Sequence, residues 1–445
     1  MTQRRLTHRR TAAAALAAAA GLALTGCGGG GDDEAGGVVE LTFANFYTGP
    51  DIDTVNAMVQ AFNEAHPDIV VTNEAILGPT LETELPSLVA SGGAYDIVAT
   101  NDYTHSRLVA AGAIAALDEA SLAEVGIEEA SYFPNIWELG TQGGELYGVP
   151  FGATAAMMFS NQTLLSELGV EVPTTYDELV EAGTVCTTDT SGNHPGDAGF
   201  DGSAVDTYGL GISSDFAAPI GVSILAQHGG ALWDAAGDVA FNSDAGLGAL
   251  ETLDALQTTD QISPYGITYE ADLANFKAGK SCFMISGAWE LKGLLDSGLD
   301  VGVHKVPMLG SQQASWGGAA WLGFPVQPDD YAAEKRDAAL EFISWATGAE
   351  GSLMWTESGN LPARPDVAQG DEYAENPTSV VAQDLEELYI PAGVPWVGQV
   401  SDAWAEAYTA VLANGADPAT QLAASADTAQ LGVDDARNNY PEFDG

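Results

Sequence analysis

The chain has 445 residues, too many for one ordinary hydrophobic core, so two lobes or domains are expected. Its 46% hydrophobic and 8% aromatic content is typical of a globular protein. The 63 acidic residues outnumber the 13 basic ones and give a formal net charge of −50. This balance excludes nucleic acid as a partner and adhesion to anionic lipid through a basic face, because both need clustered Lys and Arg.

The first 26 residues have the pattern of an export signal rather than of a folded domain. A positive region carries Arg4, Arg5, Arg9 and Arg10. An Ala/Leu-rich segment follows over residues 11–24, too short and too rich in alanine for a membrane-spanning helix. The next residues, "LTGC", end at Cys27 and resemble the lipobox of bacterial lipoproteins. That resemblance implies cleavage before Cys27 and attachment of lipid to its sulfur.

Residues 27–37 are predicted to form a flexible tether, because "GGGGDDEAGG" is polar and rich in glycine. The pair Arg9-Arg10 is compatible with twin-arginine export, but Ala12 and Ala13 stand where that signal prefers bulky apolar residues, so both export routes stay open. All four arginines precede Cys27. The chain from Cys27 onward therefore has nine of the 13 basic residues against all 63 acidic ones, a formal charge of −54. The acids are spread along this whole length, which favours a role in solubility in a salty habitat.

Strands and helices alternate after the tether. Predicted strands lie in "VVELTFANFY", "DIVVTNEAI" and "YDIVAT", and predicted helices cover residues 50–66, 81–90 and 102–110. This alternation predicts an α/β lobe with a mostly parallel sheet. Ligands of such sheets bind beyond the carboxyl ends of the strands. Asn45 and Tyr47, after the first strand, and Asn101 and Asp102, after the third, are therefore expected on one rim.

A second α/β stretch begins near Pro150. In "VPTTYDELVEA" Thr175 is predicted to cap a helix, with Glu178 at the capping-box position. A Gly/Asp-rich stretch follows over residues 186–206 and is interpreted as a long surface loop. Its aspartates raise the alternative of a calcium site, although the spacing does not fit the EF-hand pattern.

Two cysteines follow the lipobox, Cys186 and Cys282. In an oxidising compartment outside the cytoplasm they could form one disulfide. Two buried free thiols are equally compatible with the sequence, because nothing in it fixes their separation.

Five segments together carry a family resemblance, in the family's order. They are "YDIVATNDYTHSRLVAAGAIAALDE", "YGVPFGATAAMMFSNQTLLSELGVEVPTTYDEL", "FKAGKSCFMISGAW", "GGAAWLGFPV" and "AALEFISWATGAEGSLMWTESGNLPAR". The chain resembles the family 1 extracellular solute-binding proteins, the maltose-binding-protein-like components of ABC importers, over residues 38–426. It departs from the family pattern at Ser160 and Tyr176, where Tyr and Trp are usual.

The resemblance implies an α/β fold of the periplasmic-binding-protein type, with two lobes, hinge crossings and a ligand cleft between the lobes. By analogy, lobe 1 comprises residues 38–148 and 319–364, and lobe 2 comprises residues 149–318 and 365–445. The implied function is capture of a solute, a sugar or oligosaccharide, and its delivery to ABC permease subunits. The protein is expected to act as a monomer held to the membrane by its lipid, without a cofactor.

The resemblance also suggests ligand-binding residues. The turn "GAW" is expected to put Trp289 on the floor of the cleft, where an indole can stack on the C–H face of a sugar ring. Asp102 matches a family acid that binds sugar hydroxyls, and Thr154 a contact position in the hinge strand. The remaining candidates are tryptophans and a glycine near the hinge or the C-terminal segments: Trp316, Gly317, Trp355 and Trp404.

Two other classes of protein compete with a binding protein. A lipid-anchored glycoside hydrolase would use paired carboxylates, which are abundant here, but no G-x-S-x-G or H-E-x-x-H motif occurs. A metal-uptake protein would need clustered histidines or tyrosines. Only five scattered histidines follow Cys27, out of six in the chain, so a metal site is not expected.

Overall fold

The structure, a computed structural model, describes residues 37–440. The predicted signal segment, the lipobox with Cys27 and nearly all of the tether lie outside the described residues. None of the helices within 37–440 is long and apolar enough to cross a membrane.

Twelve strands occur in the described residues. They are β1 (Val39–Asn45), β2 (Ile69–Ala75), β3 (Ile97–Asn101), β4 (Thr141–Gln142), β5 (Glu145–Leu146), β6 (Val149–Asn161), β7 (Thr188–Asp189), β8 (Val205–Gly211), β9 (Ser281–Gly287), β10 (Val301–His304), β11 (Gly317–Gly323) and β12 (Leu361–Pro362). The first three lie where the alternating pattern predicts them.

Eighteen α-helices connect or flank these strands in the same part of the chain. They are α1 (Gly49–Ala65), α2 (Gly78–Ser91), α3 (His105–Ala110), α4 (Glu119–Glu124), α5 (Pro134–Leu139), α6 (Gln162–Leu168), α7 (Tyr176–Cys186), α8 (Ser223–Gln227), α9 (Asp244–Thr258), α10 (Tyr269–Lys277), α11 (Glu290–Asp296), α12 (Ala333–Thr347), α13 (Ala349–Trp355), α14 (Pro365–Ala368), α15 (Asp371–Ala374), α16 (Ser379–Ala382), α17 (Val397–Asn414) and α18 (Pro418–Asn439).

One sheet runs through the molecule in the strand order β2-β1-β3-β11-β6-β9-β8-β7, and β10 and β12 also pair with β6. β1 is parallel to β2 and β3, whereas β11 is antiparallel to β3 and β6. The 13 residues of β6 join two halves of the sheet. Residues 149–155 pair with β11, and residues 156–160 pair with β9.

Each half of the sheet has its own hydrophobic core. The first packs α1, α12 and α13 on the strands around Phe43, Phe62 and Phe342. The second packs α7, α9, α17 and α18 around Phe283, Leu253 and Tyr408. The predicted two-lobed α/β fold is confirmed. The exact lobe bounds remain a prediction.

The predicted helix start at Thr175 is present. The Thr175 side chain accepts a hydrogen bond from the backbone N–H of Glu178, at 3.4 Å. The Glu178 carboxylate in turn accepts from the backbone N–H of Thr174, at 2.8 Å, one residue before the partner of an ordinary capping box. The bond from Glu178 N–H to Thr175 satisfies a backbone donor that the helix leaves free.

Cys186 and Cys282 form a disulfide, with 6.2 Å between their Cα atoms. It links the last residue of α7 to the second residue of β9, and both cysteines are buried. The alternative of two free thiols does not hold in this structure.

The Gly/Asp-rich stretch is a loop only between β7 and β8, which pair with each other, and Asp189 at the end of β7 organises that loop. The Asp189 carboxylate accepts backbone hydrogen bonds from Ser191, Asn193 and Asp201, at 2.8–3.0 Å. With the Asn193 side chain, these donors lower the pKa of Asp189 to about 2. Within residues 37–440, no group of three or more His, Cys, Asp or Glu side chains is arranged as metal ligands would be.

Asp272, in the first turn of α10, is a fully buried carboxylate. Its Oδ1 accepts a hydrogen bond from the Tyr208 hydroxyl at 2.8 Å, and its Oδ2 has no partner. A methyl group added at Gly211 would collide with this carboxylate, at 1.8 Å from Oδ1. Burial raises the pKa of Asp272 to about 7.

Asp272→Asn is expected to stabilise the protein above pH 7. A folded-state pKa raised above its unfolded value means that the folded protein holds the proton more tightly, so stability is lost as the pH rises from about 4 to about 7. The neutral amide removes this loss, and a gain of about 1–2 kcal/mol at pH 8 is expected. Denaturant unfolding at pH 5 and pH 8 measures it. An equal effect of the substitution at both pH values would contradict the assignment.

The acidic surface should make stability depend on salt. Residues 37–440 hold 58 of the 63 acidic residues; seven of these pair with Lys or Arg and one with His66, so most carboxylates there lack a cationic partner. Repulsion among them is stronger in the compact state than in the unfolded chain, and salt screens it. The melting temperature is therefore expected to rise between dilute buffer and molar NaCl. A flat or falling melting temperature would be inconsistent with this account.

Candidate ligand-binding site

A cavity of about 420 Å³ lies where the two halves of the sheet meet. The segments that follow β1 and β3 line one wall, residues of β6 and β11 form the floor, and the segments before α8 and α11 line the other wall. Its lining residues are Phe46, Tyr47, Thr48, Asp51, Asn101, Asp102, Tyr103, Gly152, Ala153, Thr154, Phe216, Ala218, Trp289, Trp316, Gly318, Ala319, Ala320, Trp355 and Asn360.

Trp289 is held beside the cavity by the glycine two residues before it. The ring lies against Gly287, where an added Cβ would be 2.0 Å from Cζ3, so only glycine leaves room for it. The indole Nε1 donates to the Tyr269 hydroxyl at 3.3 Å. The ring meets Trp316 and Phe216 edge-on, with centroids 6.0 and 6.1 Å apart. Trp289 is partly buried, and an aromatic wall of three rings results.

Asp102, Thr154 and Trp316 come together on the floor around Gly318. A Cβ added to Gly318 would lie 3.0 Å from Thr154 Cγ2, 3.1 Å from Asp102 Oδ1 and 3.3 Å from the Trp316 ring. The hydroxyl of Thr154 is buried and has no partner. It is therefore free to bond a ligand. A larger side chain at 318 would fill this part of the cavity.

Trp355 and Tyr47 form the opposite aromatic wall, with ring centroids 4.9 Å apart. The Trp355 ring covers Gly152, where a Cβ would lie 2.2 Å from Nε1. Trp355 is 2% exposed, and both its Nε1 and the Tyr47 hydroxyl lack a hydrogen-bond partner. Buried polar groups usually have one, so a bound solute is a natural partner for these atoms.

Three predicted site residues do not line the cavity. Asn45 is 0% exposed, and its side-chain oxygen accepts from the backbone N–H of Tyr47, so it supports a lining residue instead. Gly317 points to the other face of β11, because a Cβ there would meet Leu388 at 2.8 Å. Trp404, 1% exposed, is packed in the second core against Phe241. The other candidates line the cavity: Tyr47, Asn101, Asp102, Thr154, Trp289, Trp316 and Trp355.

Asp51 and Asn360 line the cavity but were not predicted. Asp51 lies in the first turn of α1, where an acid is expected as a partner of the helix dipole, so its type and position do not by themselves indicate a binding site. Asn360 follows a left-handed Gly359 in "TESGNLPAR" and donates to Asp51 at 3.1 Å. Its place in one of the five family-like segments, the one ending in "TESGNLPAR", was a signal in the sequence that could have found it.

Burial sets the protonation of the two lining carboxylates. It raises the pKa of Asp102 to about 7, and hydrogen bonds from the backbone oppose this rise. It also raises the pKa of Asp51 to about 7, with the Asn360 hydrogen bond opposing and the negative charge of Glu290 adding to the rise. Near neutral pH each carboxylate can therefore accept or donate a hydrogen bond.

The lining combines aromatic faces with hydroxyl, amide and carboxyl groups, and it includes no Lys, Arg or His. Such a surface suits a solute with apolar faces and polar edges.

The sequence matches the family described as "Bacterial extracellular solute-binding protein" over residues 57–380. A maltotriose-binding protein from Pyrococcus abyssi is 22% identical over 360 residues, which cover 79% of this chain and 72% of that protein. A galactooligosaccharide-binding protein from Bacillus subtilis is 23% identical over 300 residues, covering 64% of this chain and 66% of the relative.

Among solved structures, the maltose/maltodextrin-binding domain of Bdellovibrio bacteriovorus bound to maltotriose is similar, with a TM-score of 0.74 and 20% identity. The match covers 89% of this chain and 100% of that domain. At this identity the likeness establishes the fold.

Proposed function

Because the chain belongs to the bacterial extracellular solute-binding proteins, we propose that it captures a saccharide outside the cytoplasm and delivers it, as a monomer, to an ABC import permease. The observation that carries this proposal is the cavity with tryptophans on both walls and unpartnered hydrogen-bonding groups between them. Indole faces stack on the C–H faces of sugar rings, and the Thr154 hydroxyl with the Asp51 and Asp102 carboxyls can bond the hydroxyls at the ring edges.

The names of the relatives support a saccharide rather than another solute, since they bind maltotriose and galactooligosaccharides. The proposed lobes are residues 38–148 with 319–364, and 149–318 with 365–445. Closing them on the solute would bring Asp102 of the first lobe and Trp289 of the second lobe together around it.

A thermal-shift screen of mono-, di- and trisaccharides against the mature protein tests the proposal. A ligand that binds only the folded state raises the melting temperature by mass action. At least one saccharide should do so, and the same protein should leave a chromogenic glycoside intact. No shift with any saccharide would refute saccharide binding, and turnover of the glycoside would favour a hydrolase.

We also propose that Cys27 carries a lipid that holds the protein on the outer face of the cell membrane. The support is the "LTGC" segment between an export signal and the glycine-rich tether. Cys27→Ser is therefore expected to release the protein into the medium, as fractionation of cells after labelling with a radioactive fatty acid would reveal. Retention of a labelled Cys27→Ser protein in the membrane would contradict the assignment.

A further inference from the structure

The charged residues that line the cavity are all acidic. Asp51 and Asp102 belong to the lining itself. Two more carboxylates lie one contact behind it. Glu290 accepts a hydrogen bond from the hydroxyl of Tyr269, the residue that holds Trp289, and Asp402 of α17 accepts one from the hydroxyl of the lining residue Tyr103. Negative charge therefore faces the solute from both walls.

Among the described residues, no Lys, Arg or His lines the cavity, so no cation there balances the charge of these carboxylates. Arg107 lies behind Tyr103 and acts electrostatically on it, but its guanidinium forms an ion pair with Glu82. Asp51 has a neutral partner, the amide of Asn360, and it faces the like charge of Glu290. Asp102 has only backbone partners and is surrounded by Thr154, Gly318 and Trp316.

A positive charge placed in the cavity would also meet tryptophan rings. Tryptophan faces attract cations through the negative face of the ring, and Trp289, Trp316 and Trp355 all line the cavity. Asp51 and Asp102 are partly buried, and a partly buried carboxylate attracts a cation more strongly than a fully exposed one does, because the local dielectric is lower. An anionic solute would be repelled by the same groups.

We propose that the saccharide captured by this protein carries a protonated amine, bound between Asp51, Asp102 and the tryptophan rings. This inference rests on the proposed saccharide function and narrows it to an amino sugar or an amine-bearing oligosaccharide. Sugars that carry a carboxylate or a phosphate are excluded by charge.

Two matched series of trisaccharides, built on maltotriose and on galactotriose, test the charge preference by calorimetric titration at pH 8. Each series contains the neutral sugar, the derivative with one primary hydroxyl replaced by an amine, and the derivative with that carbon oxidised to a carboxylate. In at least one series the amine should bind ten times or more tighter than the neutral sugar, and the acid should bind weakest. An acid that binds as tightly as the amine, or an amine no tighter than its neutral parent in both series, would overturn the inference.

Variants identify the groups responsible. Asp51→Asn and Asp102→Asn keep the shape and remove the charge, so each should lower affinity for the amine tenfold or more while changing affinity for the neutral parent much less. Asp435→Asn, an exposed carboxylate of α18 outside the lining, is the matched control and should change neither affinity. Equal losses of affinity for both ligands would mean that these carboxyl groups form hydrogen bonds only with sugar hydroxyls, and would contradict the inference.

The pH dependence gives an independent reading. As Asp51 and Asp102 ionise between pH 5 and pH 8, affinity for the amine should rise tenfold or more, whereas affinity for the neutral sugar should stay nearly constant. The Asp51→Asn/Asp102→Asn double variant should lose this rise. If neutral saccharides bind but the amine shows no rise with pH, the inference fails and the proposed function stands. If neither the neutral nor the amine derivatives bind in either series, the inference fails as well, and the saccharide screen decides separately whether the proposed function stands.

Discussion

Removal of the Cys186–Cys282 disulfide is expected to lower the free energy of unfolding by about 2–5 kcal/mol. The bridge joins residues 96 apart in sequence. In the chain-entropy description, a cross-link that closes a loop of this size restricts the unfolded chain by about 4–5 kcal/mol. Both cysteines are also buried beside Leu179 and Phe283 in the second core, so truncation removes packing as well.

Denaturant unfolding of Cys186→Ala/Cys282→Ala against the native protein measures the loss. A reducing agent should destabilise the native protein and leave the double variant unchanged, which separates the bridge from general effects of the reagent. Saccharide affinity of the folded variant should be preserved, because neither cysteine lines the cavity. A loss below about 1 kcal/mol would mean that the bridge constrains the unfolded chain little.

The parts of the fold that were predicted are those fixed by local pattern. β1, α1 and β2 lie within two residues of their predicted bounds. The signals that predicted them are all local in sequence: the spacing of apolar residues, a proline at the start of the helix, and His66-Pro67 at its end. The family resemblance supplied the two lobes. The length of the chain alone predicted only that it has two lobes or domains.

Pairing between distant segments was not predictable. β11 enters the sheet antiparallel between β3 and β6, so the first half is only partly the parallel sheet that alternation suggests. The disulfide could not be predicted for the same reason. The sequence contains two cysteines, but it does not show that their Cα atoms lie 6.2 Å apart.

Side-chain direction limited the prediction of the site. On β11, Gly317 and Gly318 point to opposite faces, and a one-residue difference decides which of them meets the ligand. Trp404 lies on a helix whose buried face is apolar, and its aromatic type alone could not separate core from cleft. Asp51 was not predicted as a site residue, because an acid in the first turn of a helix already has an ordinary structural role there.

Trp289→Ala is expected to weaken saccharide binding by about 1–3 kcal/mol, roughly a ten- to hundredfold rise in the dissociation constant. The substitution removes a ring that lines the cavity and leaves Trp316 without its edge-on neighbour. Trp289 is only partly buried, so its loss should cost less folding stability than the about 3–5 kcal/mol of a fully buried tryptophan. Calorimetric titration with a saccharide found in the screen measures the first quantity, and denaturant unfolding without ligand measures the second.

Trp233→Ala is the matched control for Trp289→Ala, because Trp233 is also partly buried against the second core but does not line the cavity. It should lower stability by a similar amount and leave saccharide affinity unchanged. Trp289→Phe should recover part of the affinity, since a smaller aromatic face remains beside Phe216 and Trp316. The cavity role of Trp289 requires loss of affinity without a comparable loss in the Trp233 variant. Strong destabilisation of Trp289→Ala with intact affinity would show instead that the ring stabilises the core and does not bind the solute.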